Sequence, residues 1–97
     1  MTGTKDKTIH GIAKTINQYD KLTLEQMQKL VGGWVEVHYM PKDKTNLVCN
    51  EDGKMMGLTL NTEATKIMHK NFPHLKGIDW MVGDVLVLHD KARIKHR

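Results

Sequence analysis

Apolar residues at helical spacing mark an element in the first third of the chain: Leu24, Met27, Leu30 and Val31. Intervals of three and four residues place these side chains on one face of a short helix. Thr23, followed three residues later by Gln26, has the capping-box pattern that begins a helix. Gly32-Gly33 ends it, because glycine readily adopts the left-handed conformation at helix C-termini.

Alternating apolar and polar residues predict the next two elements. Trp34 to Met40 is a strand in which residues 35, 37 and 39 point to one face and residues 34, 36, 38 and 40 to the other. Pro41 to Lys44 is a turn, and Asn46 to Asn50 is the strand that pairs with the first in an antiparallel hairpin.

Asn50 to Gly57 is rich in turn-forming residues and predicts a tight hairpin that anchors the fold. Asn and Asp side chains can bond the backbone within a turn, and Gly53 is predicted to take a positive φ. Met55 to Leu60 then leaves the turn as a short extended segment.

The rest of the chain predicts a second helix and a buried strand. Asn61 or Thr62 caps a helix that ends at Phe72-Pro73, because proline disfavours helical geometry in the residue before it. The inner face of this helix consists of Ala64, Ile67 and Met68. Val85 to Leu88 is continuously apolar, as in a strand covered on both faces. Thr8 to Tyr19 fits a strand or a pair of strands, although a helical stripe also fits part of it.

This order of elements predicts an α+β fold: a small mixed, mostly antiparallel sheet of four or five strands packed by two short helices. With 97 residues and no linker-like stretch, the chain is expected to form a single domain, 1–97. We expect its core in residues 8–90, with residues 1–7 and 91–97 as flexible termini.

Composition excludes several classes of protein. The apolar runs are far too short for a membrane-spanning helix, and no apolar segment follows the first seven residues as in a signal peptide. Cys49 is the only cysteine, so an internal disulfide is impossible. These features predict a protein without membrane contact, located in the reducing cytoplasm of a bacterial host.

The net charge of +4 is unevenly distributed. Residues 22–90 carry seven lysines against nine acids, whereas residues 91–97 carry four basic residues and no acid. The C-terminal segment is interpreted as a solvated tail; the alternatives are a nucleic-acid-binding arm and a charged strand edge.

Catalytic and metal-binding motifs are absent from the sequence. The six histidines are scattered and have no zinc-motif spacing, so we expect surface histidines, no metal site and no cofactor. Cys49 could act as a nucleophile with His38 as its base, but its position inside a strand favours a small buried thiol. Contact between Cys49, His38 and a carboxylate in one pocket would instead support a hydrolase or transferase.

Six residues are candidates for ligand binding: Trp34, Lys54, Asn61, Thr62, Lys66 and Trp80. Free amides at the start of the second helix, beside Asn61 and Thr62, could form an anion site with Lys54 and Lys66, although an ordinary helix cap explains the same residues. For Trp34 and Trp80, core packing is the default, and an exposed aromatic patch is the alternative. The seven methionines suit either an adaptable surface or a core.

Three stretches together resemble one family: Leu30 to Glu36, Leu47 to Leu58 with Asn61, and Val82 to Val87. The pattern is similar to the family described as domain of unknown function 3846, common in phages and mobile elements, over about residues 22–88. That family usually has a proline between Gly57 and Asn61, where this chain has Thr59. The resemblance implies a shared fold and a phage-type origin, and it implies no activity.

These observations predict a small non-enzymatic binding protein that inhibits or modulates a host defence system. Its partner would be a host protein or a small anionic nucleotide held at a homo-oligomer interface. The alternative is a nucleic-acid-binding protein that uses the basic termini, which would make binding strongly salt-dependent.

Overall fold

The computed structural model of the protein describes residues 12–89 and the backbone of residues 94–95. Its elements, in chain order, are β1 (Thr15–Gln18), β2 (Leu22–Thr23), α1 (Leu24–Val31), β3 (Val35–Met40), β4 (Thr45–Asn50), α2 (Thr62–Asn71), a 3-10 turn (Pro73–Leu75), β5 (Val85–Leu88) and β6 (Ile94–Lys95). Among the described residues, no helix has the length and apolar character needed to cross a membrane.

Four strands form one mixed sheet in the order β1-β5-β4-β3. The pairs β3–β4 and β4–β5 are antiparallel, and β1 runs parallel to β5. A separate two-stranded sheet joins β2 to β6 in parallel. The predicted α+β class, with a mostly antiparallel mixed sheet and two helices, is confirmed.

The two helices cover opposite faces of the sheet. On one face, Ala64 and Met68 of α2 pack with Leu47 and Val87 of the sheet. On the other face, the core cluster contains Met27 and Val31 of α1 with Val48, Leu86 and Leu88 of the sheet. Every residue of β5 is buried, because this strand lies inside the sheet with a helix on each side, as its continuous apolar run predicted.

Helix α1 begins and ends as predicted. The Thr23 hydroxyl accepts a hydrogen bond from the Gln26 amide (3.1 Å), and the Gln26 side chain accepts one from the Thr23 amide (2.8 Å). Gly32 ends the helix with φ 81°. The buried face of the helix is narrower than the predicted apolar face, because Leu24 and Leu30 remain partly exposed at its margins.

Helix α2 is fixed at both ends by side chains. Asn61 is its N-cap, and Phe72 is its C-terminal boundary, as predicted. Near the C-terminus, Asn71 accepts a hydrogen bond from the Lys42 amide (2.6 Å) and donates one to the Asp43 carboxylate (2.8 Å). Lys70 also pairs with Asp43 at 2.7 Å. These contacts attach the helix to the β3–β4 turn.

The predicted hairpin at Asn50 to Gly57 is wrong. Residues 51–57 form consecutive turns, and residues 55–60 form no strand: Leu60 alone makes an isolated bridge, to Val82. The backbone bonds locally, from the Gly53 amide to the Asn50 carbonyl (3.1 Å) and from the Leu58 amide to the Gly53 carbonyl (3.0 Å). Donors that are satisfied within the segment are not available to a partner strand.

Gly53 has an ordinary φ, so the predicted positive φ is also wrong. The residue is glycine for a different reason. A Cβ atom there would lie 2.8 Å from the Cγ2 atom of Val82 and 3.3 Å from the Asn50 carbonyl oxygen. The turn therefore packs its backbone directly against residue 82, and Gly57 instead adopts the left-handed conformation, with φ 71°.

Both tryptophans are exposed, which corrects the default expectation of core packing. Trp34 precedes β3 rather than opening it, and 68% of its surface is accessible; the value for Trp80 is 43%. The methionines occur both in the core and on the surface: Met40 and Met81 are buried, whereas Met55 and Met56 are exposed.

The predictions for the ends of the chain are only partly covered. Within Thr8 to Tyr19, β1 is a strand, and residues 8–11 lie outside the described residues. Residues 1–7 and most of 91–97 also lie outside them. In the C-terminal segment, the backbone of Ile94–Lys95 pairs with Leu22–Thr23 as a strand.

Candidate functional site

A cleft of about 150 Å³ opens where β3 and β4 meet the turn after β4 and the segment before β5. It lies on the α2 face of the sheet. Its lining residues are Glu36, His38, Cys49, Asn50, Glu51, Lys54, Met68, Asp79, Trp80, Met81 and Val82. More than half of these residues are polar or charged. The cleft therefore differs from a packing defect in the core, which would be lined by apolar side chains.

Three side chains with different chemistry form the floor of the cleft: Glu36, His38 and Cys49. Glu36 and His38 are two residues apart on β3, so they project from the same face of the sheet. Cys49 lies directly opposite Glu36 in the antiparallel register, which places it on that face as well. One potential metal-ligating atom from each of the three lies within 4.8 Å of the others, and Glu36 Oε1 is 3.5 Å from His38 Nε2.

Burial raises the pKa of the Cys49 thiol to about 12. The thiol is 7% exposed, and the negative charges of Glu36 and Asp79 raise its pKa further, while Lys54 acts in the opposite direction. A thiol with this pKa is protonated at neutral pH, whereas nucleophilic cysteines have lowered pKa values. The cluster therefore contains the three group types that would support a hydrolase, with a thiol in the wrong protonation state for attack.

At the mouth of the cleft, Lys54, Asp79 and Trp80 form a contiguous group. The Lys54 ammonium forms an ion pair with Asp79 and lies over the Trp80 ring, 4.7 Å from its centroid. The hydrogen bond from Lys54 lowers the pKa of the Asp79 carboxyl, and a second hydrogen bond, from the Trp80 amide, adds to that effect. The lysine is thereby held between a carboxylate and an aromatic face.

Helix α2 holds the segment that carries Asp79 and Trp80. Thr65 donates its hydroxyl to the Met81 carbonyl (3.3 Å) and accepts from the Met81 amide (2.9 Å). His69 Nε2 lies 2.8 Å from the Asp79 carbonyl oxygen. Met81 is itself buried in the core cluster on this face. One wall of the cleft is thus attached to α2, and its floor is part of the sheet.

Lys54 and Trp80 are the two predicted site residues that the structure brings together. Asn61 is instead fully buried, and each of its side-chain groups has protein partners. Its Oδ1 atom accepts from the Ala64 amide and the Thr15 hydroxyl, both at 2.9 Å. Its Nδ2 atom donates to the carbonyls of Lys14 (3.0 Å) and Gly83 (2.9 Å). With all these groups occupied, Asn61 is a structural residue, which corrects its assignment as a ligand-binding residue.

The other three predicted residues lie outside the lining of the cleft. Thr62 borders a separate depression with Ile12, and Lys66 borders another beside Lys70. The anion site that was predicted to combine Lys54 and Lys66 with the start of α2 is therefore not assembled. Trp34 neighbours the cleft rather than lining it, since its carbonyl accepts a hydrogen bond from the Glu51 amide (2.8 Å).

Sequence reasoning missed Glu36 and Asp79 and rejected the pairing of His38 with Cys49. The available signal was the Glu-x-His spacing on β3, which places both side chains on one face. The decisive fact is the register that sets Glu36 opposite Cys49, and it depends on the length of the β3–β4 turn. The sequence shows no metal-binding motif at this point because the three residues come from two strands rather than from one short segment.

Comparison with known proteins places the chain in a family without assigning it an activity. Searches of curated proteins and of solved structures returned no match. A family model described as "Domain of unknown function (DUF3846)" matches residues 5–95, which is nearly the whole chain. The protein therefore belongs to the DUF3846 family, in agreement with the resemblance carried by its turn and strand motifs.

Proposed function

We propose that the protein is a small non-enzymatic binding protein of phage or mobile-element type that modulates a bacterial host system by binding a host protein. The observation that carries this proposal is the acidic cleft with Trp80 at its mouth. Exposed aromatic and methionine side chains beside it supply the kind of apolar surface that protein partners bury.

Five exposed apolar residues lie in the cleft lining or next to it, and we call them the apolar rim: Trp34, Met55, Met56, Ile78 and Trp80. Trp80 is itself a lining residue, and each of the other four adjoins a lining residue in sequence or by contact. Met55 follows Lys54, and Ile78 precedes Asp79. The Met56 sulfur lies 3.6 Å from Asn50 Nδ2. The rim is therefore defined by adjacency to the lining residues, and Met56 adjoins the lining through Asn50, whose side chain also bonds the Val31 carbonyl.

The charges of the cleft favour a basic group on the partner. Three carboxylates, those of Glu36, Glu51 and Asp79, face a single ammonium, that of Lys54. An arginine or lysine side chain that enters the cleft would be attracted by these carboxylates and could contact Trp80. An anionic nucleotide would meet the same carboxylates with the opposite sign, so the protein-binding form of the prediction is the better supported one.

The non-enzymatic part of the proposal is supported by the protonation state of Cys49. The thiol that would have to act as nucleophile has its pKa raised to about 12, so thiolate is scarce at neutral pH. The nucleic-acid alternative depends on residues 91–97, most of which lie outside the described residues.

A charge-reversal pair tests the proposal. Glu51→Lys changes the charge at the cleft, and Glu63→Lys makes the same change on α2 away from it. Immobilised wild-type protein and both variants are incubated with a bacterial host extract, and the captured proteins are quantified. We expect a host protein that binds wild type and Glu63→Lys equally and binds Glu51→Lys several-fold less, most clearly at low salt. Equal loss in both variants, or no difference between any of them, would contradict binding at the cleft.

A further inference from the structure

We propose that Glu36, His38 and Cys49 form a binding site for one divalent transition-metal ion of the zinc class on the floor of the cleft. This inference goes beyond the proposed function, since a partner protein and a metal ion could each bind without the other. It rests on the placement of three different ligand groups on one face of the β3–β4 pair.

The distances suit a single small ion. One ligand atom from each residue lies within 4.8 Å of the other two. A tetrahedral zinc ion, with bonds of about 2.0 to 2.3 Å, holds its ligand atoms about 3.3 to 3.8 Å apart. The remaining difference is within the reach of side-chain rotation, because Glu36 is exposed and His38 is half-buried.

The ligand types select the class of metal. A thiolate and an imidazole favour zinc and related transition metals, whereas magnesium and calcium require oxygen ligands. A thiol that coordinates a metal ion is deprotonated even where the free thiol stays protonated, so its proton passes to water when the metal–Sγ bond forms. Three protein ligands would also leave a fourth position for a water molecule.

The surroundings of the cluster support a cation. The carboxylates of Glu51 and Asp79 line the same cleft. The nearest lysine, Lys54, is held in its ion pair with Asp79, which offsets its repulsion of a metal ion. The cluster is the only group of three potential ligands of this kind within residues 12–89.

Two other histidines of the described chain have other partners. His69 lies against the Asp79 carbonyl. His89 stacks on Tyr19 with ring centroids 4.2 Å apart and contacts the Asn17 side chain at 2.9 Å. His38, by contrast, faces Glu36 and Cys49. Among the histidines of residues 12–89, His38 is therefore the one that lies with two other potential metal ligands.

Cobalt and zinc titrations of the full chain test the site. Reduced protein, stripped of metal with a chelator, is titrated with Co²⁺ and monitored by absorption; Zn²⁺ affinity is then measured by competition with a chromophoric chelator. We expect one ion per chain, visible bands typical of tetrahedral cobalt, and a near-ultraviolet thiolate-to-cobalt charge-transfer band. Zn²⁺ should displace the cobalt and abolish both signals.

Single variants locate the site. Cys49→Ser should remove the charge-transfer band, and Glu36→Gln and His38→Gln should each weaken Zn²⁺ binding by at least about tenfold, the smallest cost expected even for loss of an outer-shell partner. His74→Gln, an exposed histidine outside the cleft, is the matched control and should bind as wild type. Circular dichroism checks that each variant is folded. No stoichiometric binding, or binding that folded Cys49→Ser and His38→Gln retain unchanged, would overturn the proposal.

Discussion

Asn61 connects three separate parts of the chain through one side chain. It caps α2 through the Ala64 amide, bonds the carbonyl of Lys14 before β1, and bonds the carbonyl of Gly83 before β5. A buried amide with all these partners is costly to replace, because each group left behind loses its hydrogen bond in a place that water does not reach. Its role is to hold these segments together beside the sheet.

Replacement of Asn61 by alanine is therefore expected to lower the free energy of unfolding by about 2 to 4 kcal/mol, from the lost cap and the unsatisfied carbonyls. Asn61→Asp keeps the acceptor for the Ala64 amide but sets a buried carboxyl oxygen against the Lys14 and Gly83 carbonyls, so its loss should be at least as large as that of alanine. Urea unfolding of the three proteins measures the difference. A loss below about 0.5 kcal/mol for Asn61→Ala would show that the side chain is not structural.

The sequence left two interpretations of Asn61 open, helix capping and ligand binding. A cap residue has the same local sequence in both cases. Only the tertiary partners Lys14, Thr15 and Gly83, which are distant in sequence, show that no polar group of Asn61 is left for a ligand. Lys54 and Trp80 do lie together in the lining of one cleft, and their role in ligand binding stays a prediction.

At the scale of elements, the contact between the 51–57 turns and the segment before β5 shapes the cleft. Gly53 lies so close to Val82 that a side chain cannot be accommodated without movement. Lys54 is the next residue, and its ion pair with Asp79 joins the same two segments. The positions of the cleft walls thus depend on a glycine rather than on a hairpin.

Gly53→Ala is expected to destabilise the protein by about 1 to 3 kcal/mol, because the new methyl group would lie 2.8 Å from Val82 Cγ2. Gly77→Ala is a control that tests only backbone strain, since its Cβ meets nothing within 4 Å while its φ is 78°. Thermal unfolding compares them, and the double variant Gly53→Ala with Val82→Ala should recover part of the loss caused by the overlap. A Gly53→Ala variant as stable as wild type would contradict the close packing of Gly53 against Val82.

The helices and the β3–β4 hairpin were predictable because their signals are local: the capping box, Gly32, and the two-residue alternation of β3. The 51–57 segment was not, because turn residues such as Asn50 and Gly53 occur in hairpins and in consecutive turns alike. Whether the segment forms a hairpin or consecutive turns depends on whether a strand follows it. Packing of the segment against residue 82 decides this.

At the scale of the whole molecule, Asp43 attaches the C-terminal end of α2 to the β3–β4 turn. It pairs with Lys70 and accepts a hydrogen bond from Asn71, and these contacts hold its pKa below the usual value of 3.8. A carboxyl with a lowered pKa in the folded state stabilises the fold above its unfolded pKa. That contribution is lost as the pH falls through the folded pKa.

Asp43→Asn is therefore expected to be about 1 kcal/mol less stable than wild type at pH 7, and the difference should shrink below about pH 4 as Asp43 in wild type becomes protonated. Urea unfolding at a series of pH values between 7 and 2.5 measures it. Lys70→Gln removes the main partner and should reduce the same pH dependence. A stability difference independent of pH would contradict the ion pair as its source.

Charge across the molecule sets the cleft apart from the chain as a whole. The chain carries +4, yet the cleft has three carboxylates against one lysine. The basic excess belongs to the terminal segments, since residues 22–90 carry seven lysines against nine acids. The cleft therefore concentrates the acidic excess of that region, and this favours a basic group on the partner. The oligomeric state and the role of residues 91–97 stay predictions from the sequence.

The central claim is that the cleft and its apolar rim bind a partner protein, and the most direct test is calorimetric titration of the captured host protein into matched variants. Trp80→Ala removes the aromatic residue at the cleft mouth, and Tyr39→Ala removes an exposed aromatic residue from the opposite face of the sheet. We predict that Trp80→Ala weakens binding by about 2 kcal/mol or more, roughly thirtyfold, and that Tyr39→Ala leaves the affinity unchanged. Wild-type affinity in folded Trp80→Ala, or a loss confined to Tyr39→Ala, would contradict the claim.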